Sequence, residues 1–574
     1  MTSPASATAT SDPVTRAAHW RGRAHYVIFD SAFGDGERFA ATLAAWHTDP
    51  DRSHSLHYIA LSEGALPGFR RMQSPASGVT LDLLHVSLEQ ALGQLDARID
   101  AFELHAMDGA GSGFARALAR LAEPGALLHG EGLSLTQAHA LSGAGFACHS
   151  PAPRRLEGSF TTRKPPSPWA RAGEPERRTV VIGAGLAGAA ACERLCARGW
   201  RVTLVERHAE AASEASGNLA GIFMPLLSKD DSIMARLSRA AFLYALDYWH
   251  SLGGLGPGGA IEGAACGVLQ LARDAGHAEV QRAVAASLHY PREFAEWIEQ
   301  PAASALLGRA TPHGAWLFRQ AGWARPGSVC QAMLAACGEA LVRRFGVGSV
   351  TVGRHQGQWQ VIDSVGACIA QAPVLIMANG VGALELAQSA ALPLAAVRGQ
   401  VTHVEAGELP SLPFVLCREA YLTPAIGGLH SLGASYDDDS DPALSAASQQ
   451  ENFDKIRSLL GDGAIGHAAP LQGRVGFRCV APDRLPLVGA LPLADAGGRM
   501  ERLRDVPRYP GLYGLLGYAS RGLAWAPLAA ELLAARLDGE PLPLESDLAG
   551  ALDPARFVLR ARRQGSRAGS SNTD

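Results

Sequence analysis

The sequence lacks the features of an exported or membrane-spanning protein. Its first residues are rich in serine, threonine and alanine, without the basic stretch and apolar core of a secretory signal. No uninterrupted apolar stretch approaches the roughly 18 residues that a membrane span requires. We therefore expect a cytoplasmic protein with no membrane partner.

An excess of positive charge is also absent. The chain of 574 residues holds 51 Lys and Arg against 55 Asp and Glu, which gives a formal net charge of −4. Lysine occurs only as Lys164, Lys229 and Lys455, so arginine carries nearly all of the positive charge. A global positive field for holding nucleic acid is thus excluded, and any RNA contact must come from local patches.

The nine cysteines have neither the spacing of a disulfide framework nor that of a metal site. Cys192 and Cys196 lie four positions apart in a predicted helix, and we interpret them as two small residues on one face rather than a metal or redox pair. We expect reduced thiols, which favour the cytosol, and no bound metal.

What the sequence does contain is two α/β regions separated by a proline-rich stretch. Short apolar strand-like runs alternate with helical stretches over residues 21–150, after a disordered lead-in at 1–20. Residues 151–176 are rich in proline and arginine, which predicts a solvated linker, with contact to an RNA backbone as the alternative. A larger α/β domain is expected over 177–565, followed by a flexible tail at 566–574.

The larger domain begins with a dinucleotide-binding fingerprint. Gly183, Gly185 and Gly188 form G-x-G-x-x-G between a predicted buried strand and a helix. These glycines allow a tight turn, approach of a pyrophosphate and close helix packing, and the helix N-terminus offers N–H groups to the phosphates. Glu206 ends the next strand, about 20 residues further on, where it can bind a ribose. A glycine-rich turn without a ligand is the alternative, which this context disfavours.

Later features favour FAD over NAD. Ser216, Gly217 and Asn218 follow the acidic residue, and Gly380 closes a further apolar strand. A second strand leads into a glycine-rich turn and a long helix near the C-terminus, where its N–H groups can reach the flavin end of a cofactor. The candidate contacts in this turn are Gly517, Ser520, Arg521, Gly522 and Leu523.

This ordered set resembles the D-amino-acid oxidase and glycine oxidase superfamily of FAD enzymes, over roughly residues 177–545. Longer strings are similar to the bifunctional tRNA wobble-uridine enzymes of the MnmC family, at residues 215–231, 473–479, 483–489 and 520–523. The resemblance implies a small Rossmann-like methyltransferase-type unit followed by a two-subdomain FAD-binding fold. That fold has a dinucleotide-binding βαβ part and a mixed-sheet substrate subdomain.

The resemblance implies oxidative removal of the carboxymethyl group from 5-carboxymethylaminomethyl-2-thiouridine in tRNA. This substituent is an N-substituted glycine, so hydride transfer from its methylene to the flavin gives an imine, and water releases glyoxylate. Arginine suits the substrate carboxylate because it can bind bidentately. Our candidates are Arg474, Arg478 and Arg521. Structural ion pairs are the alternative for each, and no catalytic base is assigned.

The resemblance also implies that the N-terminal unit methylates the exposed aminomethyl group with S-adenosylmethionine. The remnants of its cofactor site are Gly34, Gly36, Glu63 and Asp108. Ala32 stands where the family has a glycine, and Ser62 stands at the expected ribose-binding acid, with Glu63 one place late. We therefore expect a degenerate domain, retained for packing or tRNA docking, rather than an active methyltransferase.

Two other functions stay open. One is an FAD-dependent oxidase of a free small amino acid of the glycine or sarcosine type, which a closed, small pocket would favour. The other is a non-catalytic, flavin-containing tRNA-binding protein, which a flavin face blocked by side chains would favour. The oligomeric state is also open, with a monomer as one possibility.

Overall fold

The computed structural model describes residues 19–74, 78–105, 111, 113–162, 176–460, 470–493, 497 and 500–570. Two compact units divide the chain. The first unit comprises residues 1–173 and 535–547, and the second comprises residues 174–534 and 548–574.

The first unit is built on an eight-stranded sheet with the order β3-β4-β2-β1-β5-β6-β8-β7. Its strands are β1 (His25–Asp30), β2 (Ser55–Leu61), β3 (Gly68–Ser74), β4 (Val79–His85), β5 (Ile99–His105), β6 (Ala122–Glu131), β7 (Phe146–Ala152) and β8 (Arg155–Phe160). Its helices are α1 (Glu37–Thr48), α2 (Leu88–Gln94), α3 (Phe114–Leu121) and α4 (Leu135–Gly143). The central strands run parallel and the outer ones antiparallel.

The core of the first unit follows from its apolar strands. Strand β1 is buried along its whole length, as expected of a parallel strand that is covered on both faces. Phe29 and Phe102 pack in one cluster with Leu92 of α2 and Leu118 of α3. The returning segment 535–547 is held in this unit by Arg71, which donates to the carbonyl oxygen of Pro541 at 2.7 Å.

The structure differs from the predicted linker at its start. Residues 151–160 complete β7 and form β8, which pair as an antiparallel hairpin. Pro151 is tolerated because β7 is the edge strand and its register shifts between His149 and Ala152. The remainder of the linker, at 163–175, lies outside the described residues.

The predicted lead-in and tail also differ from the structure at their inner ends. Residues 1–18 lie outside the described residues, but Trp20 is fully buried and donates its indole N–H to Asp49 at 2.9 Å. At the other end the last helix runs over Arg556–Ser570, so the expected tail at 566–574 begins inside a helix. Residues 571–574 lie outside the described part of the chain.

The second unit contains a six-stranded sheet that is parallel except at one edge. Its strands, in the order of the sheet, are β17 (Leu341–Arg344), β10 (Arg201–Val205), β9 (Arg178–Ile182), β21 (Val374–Met377), β28 (Arg508–Leu516) and β27 (Leu487–Pro492). Val180, Leu375 and Leu512 on neighbouring strands share one buried cluster. This sheet carries both predicted strand-to-helix turns.

A mixed eight-stranded sheet forms the other large part of the second unit. Its strands, in the order of the sheet, are β14 (Glu296–Ile298), β15 (Ala315–Phe318), β13 (Val268–Leu271), β23 (Val415–Cys417), β24 (Tyr421–Leu422), β25 (Leu429–Gly433), β22 (Ala395–Glu405) and β26 (Gly473–Val480). Two small sheets complete the unit: β11 (Gly221–Phe223), β16 (Gly322–Ala324) and β12 (Gly263–Ala264), and β18 (Thr351–His355), β19 (Gln358–Ile362) and β20 (Cys368–Ala372).

Helices cover these sheets. They are α5 (Leu186–Cys196), α6 (Ile233–Ser251), α7 (Ala275–Leu288), α8 (Gln300–Leu307), α9 (Pro326–Ala336), α10 (Ala446–Leu460), α11 (Gly522–Asp538), α12 (Ser546–Ala551) and α13 (Arg556–Ser570). Among the described residues, no helix has the length and apolar character needed to cross a membrane. The same residues hold no group of His, Cys, Asp or Glu side chains arranged for a metal ion.

Candidate cofactor and substrate site

Strand β9 leads into α5 through the first glycine motif. A Cβ atom on Gly183 would lie 2.6 Å from the carbonyl oxygen of Ala378, and one on Gly188 would lie 1.8 Å from the carbonyl oxygen of Gly183. Any larger residue would push the helix or the neighbouring strand away, because both obstacles are backbone. These two glycines therefore bring α5, β9 and the end of β21 close together.

Gly185 stands at the N-terminus of α5 and faces open space. A Cβ atom there would meet only the Ser216 side chain, whose hydroxyl oxygen would lie at 3.0 Å. That oxygen accepts a hydrogen bond from the Leu186 N–H at 3.1 Å. The remaining N–H groups of this first turn carry the partial positive charge of the helix N-terminus, which suits an anion such as a pyrophosphate.

Glu206 follows β10 and is almost completely buried. One carboxylate oxygen accepts the Ala184 N–H at 2.7 Å, and the other accepts the His208 N–H at 2.9 Å. A carboxylate has about four acceptor positions, so each oxygen retains one for a further donor. A ribose hydroxyl is such a donor.

A cavity of about 430 Å³ connects the predicted cofactor contacts of the second unit. The predicted residues that line it are Gly183, Gly185, Glu206, Ser216, Asn218, Gly380, Gly517, Ser520, Arg521, Gly522 and Leu523. Gly188 and Gly217 are not lining residues. The C-terminal glycine-rich turn forms part of this cavity wall. It begins directly after β28 at Gly517, whose φ of 74° is a conformation that glycine adopts readily.

Two lining residues that the sequence analysis missed have buried polar atoms without a hydrogen-bond partner. Among the described residues that line the cavity, these atoms are the Tyr518 hydroxyl and the amide oxygen of Asn379. Burial raises the pKa of Tyr518 far above its usual value. Unpartnered polar atoms are costly to bury, so both fit a wall that a polar ligand completes. The only signals in the sequence are that Tyr518 lies inside the C-terminal glycine-rich turn and that Asn379 directly precedes Gly380.

The three arginine candidates occupy different places. Arg474 donates to the carbonyl oxygens of Ser213 and Glu214, each at 2.6 Å. It therefore clamps the loop that carries Ser216, and it is not among the residues that line the cavity. Arg474 and Arg478 share one face of β26, but four residues along a strand span about 13 Å, which explains why only Arg478 reaches the cavity.

Arg478 and Arg521 are cationic side chains in the cavity wall. Arg478 donates to the carbonyl oxygens of Arg398 and Ser435, both at 3.2 Å. Burial lowers the pKa of Arg521. Within the described part of the chain neither arginine forms an ion pair with a carboxylate, although burying a charge without an opposite charge is unfavourable. An anionic ligand would complete both.

Comparison with known proteins identifies the family of this chain. Residues 178–536 match the family model described as FAD dependent oxidoreductase. The tRNA 5-methylaminomethyl-2-thiouridine biosynthesis bifunctional protein MnmC of Burkholderia thailandensis is 39% identical, over 95% of this chain and 92% of the relative. The protein of the same name from Azoarcus sp. is 40% identical with the same coverage. The chain belongs to the MnmC family of FAD-dependent oxidoreductases.

Solved structures confirm the predicted fold of the second unit. Glycine oxidase from Geobacillus kaustophilus has a TM-score of 0.54 and 19% identity, over 66% of this chain and 99% of its own. Iminodiacetate oxidase from Chelativorans sp. has a TM-score of 0.52 and 22% identity, over 64% of this chain and 96% of its own. The fold class, the family and the FAD cofactor that the sequence predicted are thus confirmed.

The first unit of this MnmC family member has a different site at the end of β1. Asp30 is fully buried and accepts hydrogen bonds from Arg38 at 3.1 and 3.2 Å and from the Tyr58 hydroxyl at 2.6 Å. The Phe33 N–H donates to the carbonyl oxygen of Leu61 at 2.7 Å, which ties the loop after β1 to the end of β2. Protein groups thus hold together the ends of these two strands.

The predicted remnants of a second cofactor site surround this cluster only in part. Gly34 and Gly36 lie in the loop before α1 with φ of 61° and 86°. Glu63 follows β2 and is exposed. Asp108 lies outside the described residues. A Cβ atom on Gly64 would lie 2.4 Å from the His85 ring, so this histidine covers the backbone just after Glu63.

Proposed function

We propose that the second unit removes the carboxymethyl group from 5-carboxymethylaminomethyl-2-thiouridine in tRNA by FAD-dependent oxidation. The observation that carries the proposal is that two of the cavity arginines, Arg478 and Arg521, have no carboxylate partner among the described residues. The substrate's substituent ends in a carboxylate. The relatives are named for the biosynthesis of 5-methylaminomethyl-2-thiouridine in tRNA, which supports a tRNA uridine as the substrate.

The residues of this chain have separable roles in the proposal. Gly185 and the N-terminus of α5 hold the pyrophosphate of FAD, Glu206 holds its ribose, and the turn at 517–523 contacts the flavin end. When bound, FAD supplies a two-electron acceptor. Arg521 and Arg478 hold the substrate carboxylate, which fixes the neighbouring methylene within the cavity.

The overall chemistry balances with bound FAD as the two-electron acceptor and water as the only co-reactant. The methylene loses a hydride, and the nitrogen lone pair forms a C=N bond. Water then adds to that carbon and the C–N bond breaks, which releases glyoxylate and leaves a primary aminomethyl group on the uridine. The protein's part is to orient the methylene and to hold the carboxylate, and the chain needs no nucleophile of its own.

A free small amino acid is the competing substrate. The glycine oxidase likeness supports it, but at 19% identity this likeness shows only the fold. The MnmC relatives are about twice as similar in sequence and span 95% of the chain. These relatives favour tRNA, and with it a cytoplasmic location, which the nine free thiols also favour.

The test is to give the flavin-loaded enzyme tRNA that carries 5-carboxymethylaminomethyl-2-thiouridine and to digest the product for mass spectrometry. We expect one equivalent of glyoxylate for each 5-aminomethyl-2-thiouridine formed. The matched reaction contains glycine or sarcosine in place of tRNA. Unchanged nucleoside together with rapid oxidation of either amino acid would contradict the proposal.

The bifunctional MnmC relatives support S-adenosylmethionine-dependent methylation as a second activity of the family. We propose that the first unit of this chain has lost that activity. Arg38 pairs with the Asp30 carboxylate beside the loop between β1 and α1, where the family binds its cofactor. Ser62 stands in place of the acidic residue that would bind the ribose. S-adenosylmethionine added to the tRNA reaction should therefore leave the aminomethyl product unchanged. It should also leave the melting temperature of the protein unchanged. A methylaminomethyl nucleoside would overturn this inference.

A further inference from the structure

Tyr436 combines two properties that rarely occur together in this molecule. It lines the cavity of the second unit, yet its side chain is 61% exposed. Among the described residues, no other exposed large hydrophobic side chain lines this cavity. The ring therefore stands where the cavity meets solvent, and an accessible aromatic surface remains at the cavity edge.

Arg478 fixes one side of this ring. Its guanidinium carbon lies 4.2 Å from the centroid of the Tyr436 ring, a cation–π distance. The same guanidinium donates to the carbonyl oxygen of Ser435, the residue before the tyrosine. The proposed carboxylate-binding arginine and the aromatic ring are thus one assembled group.

A buried arginine holds the segment that follows Tyr436. Arg398 is 1% exposed and pairs with Asp437 at 2.6 Å. It also donates to the carbonyl oxygens of Asp441 at 2.7 Å and Ala443 at 2.6 Å. The ring is therefore held in position before any ligand arrives, which reduces the entropy cost of binding to it.

We propose that Tyr436 is the stacking surface for the uracil ring of the wobble nucleotide. The inference rests on the proposed tRNA substrate. The substituent between the carboxylate and the uracil ring is short, so a carboxylate held at Arg478 keeps the ring within reach of Tyr436. Proteins commonly bind unpaired RNA bases by stacking them on aromatic side chains. A free amino acid has no ring to place there, so Tyr436 would select for the nucleoside.

The alternative is that Tyr436 only shields Arg478 from water. Both roles predict a weaker enzyme after Tyr436→Ala. They differ in whether the effect depends on the presence of the nucleobase. A stacking surface loses its effect when the wobble base is removed, whereas a shield does not.

The binding experiment compares two anticodon stem–loop RNAs, one with uridine and one with an abasic site at the wobble position. Their dissociation constants are measured with the flavin-loaded wild-type protein, Tyr436→Ala and Tyr436→Phe. We expect the wild type and Tyr436→Phe to prefer the uridine RNA by roughly five- to one-hundred-fold, the usual range for base stacking. Tyr436→Ala should bind both RNAs equally. The control is Val365→Ala, a highly exposed residue outside the cavity lining, which should behave as wild type.

Turnover provides the second measurement. In Tyr436→Ala the KM for modified tRNA should rise at least about tenfold more than the KM for N-ethylglycine, which has no ring. Equal preference for the two RNAs in the wild type, or equal KM increases for the two substrates, would overturn the stacking role. A wild-type enzyme that does not process tRNA at all would instead overturn the proposed function on which it rests.

Discussion

Each unit contains a strand of the parallel part of a sheet that is followed by a glycine-containing loop and a helix. The two units differ in the hydrogen bonds that the acidic residue beside this loop accepts. In the second unit, Glu206 accepts one backbone N–H on each carboxylate oxygen and retains acceptor capacity toward the cavity. In the first unit, Asp30 accepts two donors on each oxygen, from the Ala32 N–H, Arg38 and Tyr58. With about four acceptor positions per carboxylate, Glu206 is half used and Asp30 is fully used.

This difference fits the proposal that the first unit has lost its cofactor site, because protein groups use the acceptor positions of Asp30 whereas Glu206 retains two. The site depends on whether the polar groups at the strand ends remain free for a ligand. Within the described residues of the second unit, Tyr518 and Asn379 each have a buried polar atom without a hydrogen-bond partner. In the first unit, Arg38 and Tyr58 donate hydrogen bonds to the carboxylate of Asp30 at the end of β1.

The variant with the largest expected effect tests the glycine-rich turn between β9 and α5 in the second unit. Gly188→Ala places a Cβ atom 1.8 Å from a backbone oxygen, so α5 must move away from β9. We expect a loss of about 3 kcal/mol or more in the free energy of unfolding and loss of bound FAD, measured by thermal melting and flavin absorbance. The control is Gly276→Ala in α7, where the nearest atom lies at 3.4 Å. Retention of full FAD content in Gly188→Ala would contradict the packing argument.

The next effect concerns what the open cavity binds. Arg521→Gln removes the positive charge and keeps the aliphatic part of the side chain as far as Cδ. We expect kcat/KM to fall roughly 30- to 1000-fold, or about 2–4 kcal/mol, because a charge-assisted contact to the carboxylate is lost. FAD content should stay near that of the wild type.

The substrate provides the control for Arg521. Wild-type enzyme should prefer N-ethylglycine over its amide by a factor similar to that caused by Arg521→Gln, and the variant should lose this preference. If the variant still discriminates between acid and amide as the wild type does, Arg521 does not bind the carboxylate. Arg478 would then be the remaining candidate.

The elements that the sequence predicted are those set by local pattern. The strand, turn and helix around Gly183 and Gly188 follow from apolar runs and glycine spacing, and the packing distances agree with the reasons given for each glycine. Glu206 is likewise placed by its position at the end of a strand. These features depend on residues close together in the chain.

The features that the sequence did not predict depend on distant packing. Spacing along β26 shows that Arg474 and Arg478 share a face, but not that only Arg478 reaches the cavity. Tyr436 belongs to the site because β22 pairs with both β25 and β26. Pro151 indicated a break in structure, whereas an edge strand accepts it. Predicting these features requires the order of the strands in the sheet, and local sequence patterns do not contain that order.

A smaller effect tests the closed loop of the first unit. Arg38→Ala leaves the buried carboxylate of Asp30 with the Ala32 N–H, the Tyr58 hydroxyl and, at 3.7 Å, the His105 ring. We expect a loss of about 2 kcal/mol in stability, below the range for a fully buried pair because Arg38 is 28% exposed. Flavin content and the rate of oxidation should not change. The double variant Arg38→Ala, Asp30→Asn should regain part of the stability. A loss of flavin in Arg38→Ala would show that the two units are not independent.

The smallest expected effect concerns the segment that holds Tyr436, and it depends on pH. Burial alone would raise the pKa of the Asp437 carboxyl, but hydrogen bonds from Ser435 and Ser448 and the pairing with Arg398 outweigh burial and hold this pKa below its usual value. A carboxyl with a depressed folded-state pKa stabilises the fold above its unfolded pKa of about 3.9. That stabilisation is lost as the pH falls through the folded-state pKa.

Asp437→Asn should therefore lower the melting temperature at pH 7 by a few degrees, with the difference from the wild type shrinking below about pH 4. Asp454→Asn in α10 is the control, because the Asp454 carboxylate is 61% exposed and ion pairs of exposed groups contribute little. A difference that grows as the pH falls would mean that the neutral carboxyl is the form the fold prefers. The Arg398–Asp437 ion pair would then not be what holds Tyr436 at the edge of the cavity.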